Sequence, residues 1–505
     1  MPSPYPPRYA LRCGVLVVAA LTTAALTYHA VSRPASALAS LPLPILGDVP
    51  LLLDEPSPAA LPAYQLLSFA RAHPLSGWRY YETDSKLRAE FPAEVRAGEE
   101  AEVTFTCSHP DPDTMCAPAY RLLLDGPSLV SPPHVLSSEK LDQRKVRVKF
   151  RVDDPGRYRV YAFPEHEKCD QWNNAEVQYH QLGVGGTPYY MTVKGDGEKE
   201  SSEICQPSQA FTEPGRWVSK AHVNPNHLSI QSPHYDWLST QLEPISPDAD
   251  STVYSHFWAP YNCKVPHHNM RDWLEIAAPE SVVFFGDSVI RDWFCLIMWA
   301  NLFGTPEPGT TCAYSGDAEH GGYHTTNKEG TYTRASDGKT TTLRFFWAPS
   351  GDGTTVRESL KGLASPPTHV LYSAALWLAL LKPDAYIAQL KPGLQAIKEL
   401  APKANTVVRG SAAVVQAIQC YDRIGGQRFQ LEPNNAALKQ MLDTSFPSFS
   451  YFDAYTTLNS HPGASSDGRH WGAPGVIGGE RPQIGTGEFA LLDRLFLHWS
   501  APFGR

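Results

Sequence analysis

Several features are missing from this 505-residue sequence. It has no Cys-x-x-Cys pair and no His/Cys cluster at zinc-ligand spacing, which excludes the common structural zinc sites. It has no long run of one charge. The 43 basic and 52 acidic residues are mixed along the chain, for a formal net charge of −9, and this argues against a nucleic-acid surface. No Asn-x-Ser/Thr sequon occurs, so N-glycosylation lends no support to a secretory location. No internal repeat of solenoid length is visible.

Proline and aromatic residues, in contrast, are plentiful. The 45 prolines and 36 glycines predict many ordered loops, because 12 Trp, 23 Tyr and 20 Phe are spread along the same chain. Aromatics on that scale fill a core and, where exposed, can line a carbohydrate cleft.

The stretch "RCGVLVVAALTTAALTYHAVSR" holds an uncharged run from Cys13 to Ser32, flanked by Arg12 and Arg33. Twenty helical residues span roughly 30 Å, about a bilayer core. Arg8 and Arg12 precede the run, and no base follows Arg33 until Arg71. The positive-inside rule then makes residues 1–12 a cytosolic tail, residues 13–32 a signal anchor, and the rest lumenal. The rival reading is a cleaved signal peptide, with Ala37–Ala39 at the cleavage site and a secreted product. Either way the body enters the secretory pathway. The eight cysteines beyond Cys13 suit that oxidising compartment, although their connectivity stays open. Cys205 and Cys263 read as disulfide partners rather than nucleophiles.

Residues 33–90 are rich in Pro, Ala and Leu and read as a stem. From 91 to 195, "AEVTFTC", "AYRLLLDG", "RKVRVKFRV", "RYRVYAF" and "PYYMTV" alternate apolar and polar residues between turn signals. That spacing predicts an immunoglobulin-like β-sandwich. From Ser281 the pattern changes to near-continuous apolar strands separated by helices: "SVVFFG", "TTLRFFWAP", "THVLYSAALWL", "NTVVRGSA" and "FSYFDAY". Helices are expected over Val289–Leu302, Ala385–Leu400, Asn434–Leu442 and the last amphipathic segment "GEFALLDRLFLHW". The alternation predicts an α/β fold, a parallel sheet covered on both faces, over residues 205–505.

In such sheets ligands bind beyond the carboxyl ends of the strands, and Ser288 of "FFGDSVIRDW" stands at such an end. Asp287 and Ser288 also suit a helix cap, so the tripeptide alone does not separate a nucleophile from a cap. A nucleophilic serine needs a base and an orienter for that base. His470 and Asp467 in "SSDGRHW" have the spacing to supply both. The same Asp-x-x-His spacing recurs at Asp317 and His320; the later pair is preferred because it follows the last strand.

These residues resemble the PC-esterase branch of the SGNH (GDSL-like) hydrolases. That branch includes trichome-birefringence-like, neurexophilin-and-PC-esterase and sialate O-acetyltransferase proteins. The resemblance extends to the lead-in: "CQPSQAFTEPGRWV" is similar to the family's Cys followed by Gly-Arg-Trp-Val, and "FWAPYNCKVP" to its Trp-x-Pro-x-x-Cys-x-Leu-Pro. It implies an SGNH-like three-layer α/β/α sheet and O-acetyl transfer to a glycan or polysaccharide in the Golgi. Ser288 would be acylated, His470 would be the base and Asp467 its orienter. Gly286, Asp287, Arg291, Ser373 and Arg409 are the candidates for oxyanion or substrate contacts. Ser373 stands where the family carries Asn, and Ala375 where it carries Gly. No tightly bound cofactor and no metal are expected; an acetyl donor such as acetyl-CoA would be a co-substrate. A carbohydrate acetylesterase, or a catalytically impaired glycan-binding or adhesion protein, are the alternatives. The expected partners are the glycan and, through one helix, the membrane, with no nucleic acid.

Overall fold

A computed structural model describes residues 83–165, 183–196, 203–219, 256–265, 270–294, 327–373, 376–413, 427–460 and 487–500. The expected anchor at 13–32 lies outside these. Among the described residues no helix is long and apolar enough to cross a membrane.

The first region is two antiparallel-rich sheets around one core. Leu87–Glu90, Glu100–Cys107, Lys145–Arg151 and Ser138–Lys140 form a four-stranded sheet. Ala119–Asp125, Gly156–Glu165 and Tyr189–Lys194 form the centre of a seven-stranded one. The alternation seen in sequence is physical: Val146, Val148 and Phe150 are buried, while Lys145, Lys149 and Arg151 between them are exposed. Each buried apolar side chain of this kind contributes roughly 1.5–3 kcal/mol. Phe105 of one sheet stacks on Tyr120 of the other at 4.0 Å. A Cys107–Cys116 disulfide closes the loop after the second strand.

The sheets also reach past the expected bounds of this region. Leu87–Glu90 comes from the stretch read as stem. Gly215–Ser219 and His256–Pro260, from the motif-bearing lead-in, pair with each other and extend the seven-stranded sheet through Ser128–Val130. Strands of three to five residues are too short to show a period.

The second region is an α/β sheet, whose elements we number from its start: β1 (Ser281–Gly286), β2 (Lys328–Thr333), β3 (Thr340–Trp347), β4 (His369–Ser373), β5 (Asn405–Arg409) and β6 (Ser450–Phe452). The order across the sheet is β2-β3-β1-β4-β5-β6. All pairs are parallel except β2, an antiparallel edge strand beside β3. All six residues of β1 are buried. Val282 and Phe284 point into one apolar layer and Val283 and Phe285 into the other. Such a strand must be covered on both faces.

The helices do this. Met270–Ala277 (α1) and Gly487–Trp499 (α7) pack on the first face; Gly353–Lys361 (α3), Pro383–Leu400 (α4) and Gln427–Ser445 (α5) pack on the second. Between them in the chain lie the short α2 (Ser288–Asp292) and α6 (Ala454–Asn459). Where α4 meets the turn after β3, Gly351 has φ +62°, and a Cβ there would come within 2.5 Å of the Tyr372 hydroxyl. Only glycine fits that turn.

The two regions are fastened by buried polar contacts. Within the first region, Arg216 seats its own strand through two hydrogen bonds of 3.0 and 2.9 Å to Asp154. Trp217 donates its indole N–H to the Thr457 carbonyl of α6 at 2.8 Å. Arg494 of α7 donates to the Ala210 and Phe211 carbonyls and to Thr457 Oγ1. Cys205 and Cys263 are disulfide-bonded, as expected of them, and staple the lead-in.

Candidate active site

Counting only the parallel strands in chain order, the sheet reads 2-1-3-4-5. In this order the crevice opens at the carboxyl ends of the first and third strands, here β1 and β4, where the connections diverge to opposite faces. Gly286-Asp287-Ser288 ends β1 at that point, and Ser373 ends β4.

Gly286 permits the sharp strand-to-helix turn. A Cβ on it would meet Ile290 of the following helix at 2.6 Å. Asp287, almost wholly buried, is the N-cap of α2 and accepts from the Val289 N–H at 3.0 Å. Capping and presentation are therefore divided between neighbours: Asp287 caps, and Ser288 stands next to it in the first helical turn, half-buried. The amides of a first turn point out of the helix end. Partial positive charge therefore gathers at the start of α2, where Ser288 stands.

Ser373 is buried at 5% exposure, in register with Arg409. Arg291 lies one turn beyond Ser288; it is buried, with its guanidinium 5.9 Å from the centre of the Trp347 ring. Arg409 is also buried, with its guanidinium 4.3 Å from the centre of the Trp293 ring just past α2. Arg409 thus packs the end of β5 against the ring of Trp293, just past α2.

Asp467 and His470, and the spare pair Asp317 and His320, lie outside the described residues, as does Ala375. His369 is described, but it begins β4 at the opposite edge, where burial pushes its pKa down to about 4. That edge is remote from Ser288. Among the described residues, no three His, Cys, Asp or Glu side chains are placed to hold a metal ion.

The pattern of the sequence did not reveal what holds the loops of this edge. The start of α5 pins three of them. Glu432 accepts from the backbone N–H groups of His134, Val135 and Leu136 at 2.7, 2.8 and 2.9 Å, and from the Tyr455 hydroxyl at 2.6 Å. Its partner His134 Nδ1 lies at 3.0 Å. Burial alone would raise the Glu432 pKa, but His134 and these donors outweigh it and hold the carboxyl down at about 2. Asn434 donates to the Leu381 carbonyl at 3.1 Å, in the turn after β4. Asn435 both accepts from the Ser411 N–H and donates to its carbonyl, at 2.8 and 3.0 Å, fixing the turn after β5. Tyr386 of α4 lies beneath, its hydroxyl pKa raised by burial, with Ser411 and Asp287 close by. Side chains that bond only distant backbone carry no local sequence signal.

Fold and site together define a class, a doubly wound α/β protein of hydrolase-like architecture with a serine presented at its switch point. No protein-family model matches the chain. Over 159 residues it is 27% identical to "Probable xylan O-acetyltransferase 9" of Oryza sativa subsp. japonica. The match spans 31% of this chain and 31% of that protein's length.

Proposed function

We propose that this chain is an O-acetyltransferase acting on a polysaccharide through an acyl-serine intermediate. The observation that carries the reading is Ser288, half-buried in the first turn of α2, at the carboxyl end of β1 and at the switch point of the sheet. The likeness to a protein named for xylan O-acetyl transfer supports the substrate class.

Ser288 Oγ attacks the acetyl carbonyl of the donor while His470, oriented by Asp467, takes the hydroxyl proton. The oxyanion is met by the Ser288 N–H and by the Ser373 hydroxyl, the donor here in place of the family's Asn. Collapse expels the donor's leaving group with the proton from His470. A sugar hydroxyl then attacks the acyl-serine while His470 takes its proton; the bond from Ser288 Oγ to the acyl carbon breaks, His470 returns the proton to Ser288 Oγ, and the acetyl ester remains on the sugar. Water in place of the sugar hydroxyl would make the same site an acetylesterase.

The sandwich is proposed as an immunoglobulin-like structural spacer, and residues 13–32 as the anchor that holds the protein in a Golgi or other secretory membrane with the site lumenal. The test is labelling of the purified chain by a fluorophosphonate, comparing wild type with Ser288→Ala, followed by mass analysis of xylan oligosaccharides incubated with acetyl-CoA. Labelling that depends on Ser288, together with acetyl mass increments on the sugar, is the expected result. Equal labelling of both proteins would refute the serine mechanism.

A further inference from the structure

Trp377 sits in the short 3-10 turn after β4, between the strand that carries Ser373 and helix α4. It is 63% exposed, whereas Trp273, Trp293 and Trp499 are buried and Trp347 is half-buried. Its ring packs edge-on against Trp347, with centroids 6.2 Å apart and planes at 88°. Trp347 in turn is the register partner of Gly286, two residues before Ser288, and Arg291 lies over its ring. An unbroken chain of contacts therefore runs from the serine turn to the exposed indole.

The turn bearing it is held rigid. Leu378 and Ala379 on either side of the bend are buried, the Leu381 N–H donates to the Leu378 carbonyl at 2.9 Å, and Asn434 holds the Leu381 carbonyl. A large aromatic face kept exposed on a pinned turn loses little freedom on binding, which is the condition for a preorganised anchor.

We propose that Trp377 is an acceptor-binding residue: its indole face stacks on a pyranose ring of a neutral oligosaccharide and sets the chain against Ser288. The C–H bonds of a pyranose carry slight positive charge and match the negative face of an aromatic ring, while the sugar hydroxyls remain hydrated around it. This inference rests on the polysaccharide reading above but needs no turnover to test.

The experiment is calorimetric titration of the full chain with xylohexaose, and in parallel with cellohexaose, for wild type, Trp377→Ala and Trp377→Phe. Unchanged melting temperatures verify that the exposed position leaves the fold intact. Binding by wild type that weakens at least tenfold in Trp377→Ala and is largely restored in Trp377→Phe is expected. Equal affinity of wild type and Trp377→Ala, or no binding of either sugar at millimolar concentration, overturns the proposal. So does a change of oligomeric state in Trp377→Ala with sugar binding intact, which would make the indole a subunit contact. Fluorophosphonate labelling of wild type is scored separately: if it fails while Trp377-dependent binding holds, the enzyme reading falls and the sugar subsite stands.

Discussion

The sandwich and the α/β domain bury their cores in opposite ways, and the difference accounts for where the candidate site lies. Strands of the sandwich hide one face and expose the other, so Lys149 and Glu100 meet across solvent at 3.0 Å while Val148 faces inward. Strands of the α/β sheet hide both faces, which leaves their ends as the places where polar groups can reach a ligand. Ser288, Ser373 and the Trp377 turn are all at such ends. The sandwich reaches the same edge through the His134–Leu136 loop bound to Glu432, so it is attached beside the site rather than tethered at a distance.

The largest effect should follow from breaking that attachment. Glu432→Ala strips a buried carboxylate from three backbone donors, a tyrosine and a histidine, and should destabilise the fold by about 3–5 kcal/mol in denaturant titration. Glu432→Gln should sharpen the point through pH. The folded-state pKa of Glu432 is depressed to about 2 from an ordinary carboxyl value of 4.5, so its stabilisation is present above that ordinary value and is lost as pH falls toward 2. The wild-type chain should lose stability over that window, and Glu432→Gln should lose less. Parallel acid titrations of the two would refute the assignment.

A smaller loss, in rate rather than stability, is expected within the α/β domain. Ser373→Ala should lower kcat by roughly 10²-fold with KM and melting temperature little changed, as for removal of one oxyanion donor. An unaltered kcat would move the second oxyanion donor elsewhere. The smallest effect belongs to the outer face of the sandwich. Lys149→Ala removes an exposed ion pair that solvent already screens, and its thermal melt should overlay that of wild type.

Legibility in the sequence followed the same division. The strands Glu100–Cys107, Ala119–Asp125, Lys145–Arg151 and Ser281–Gly286, and the helices ending at Leu400 and Trp499, match the apolar periods read from the chain. Helix Gly353–Lys361 was not visible. It carries two β-branched threonines at its start, and only Val356 and Leu360 form its buried stripe. The antiparallel edge strand Lys328–Thr333 was missed because "KEGTYT" has almost no apolar residues to alternate. The "GRWV" and "CKVP" segments stood out as motifs, but their residues serve mainly as fasteners: Arg216 to Asp154, Trp217 to α6, and Cys263 to Cys205.

By itself, then, the sequence determined the two kinds of layer, the change from alternating to continuous apolar strands near Ser281, and the placing of a serine where a strand turns into a helix. These depend on residues close together along the chain, where period, turn chemistry and caps act locally. Only the tertiary structure decided the order 2-1-3-4-5 that turns a strand end into a crevice, the burial of Arg291 and Arg409 against tryptophans, the three loops held by the first turns of α5, and the exposure of Trp377. Each of these arises from partners tens to hundreds of residues apart, brought together by packing that no local pattern encodes.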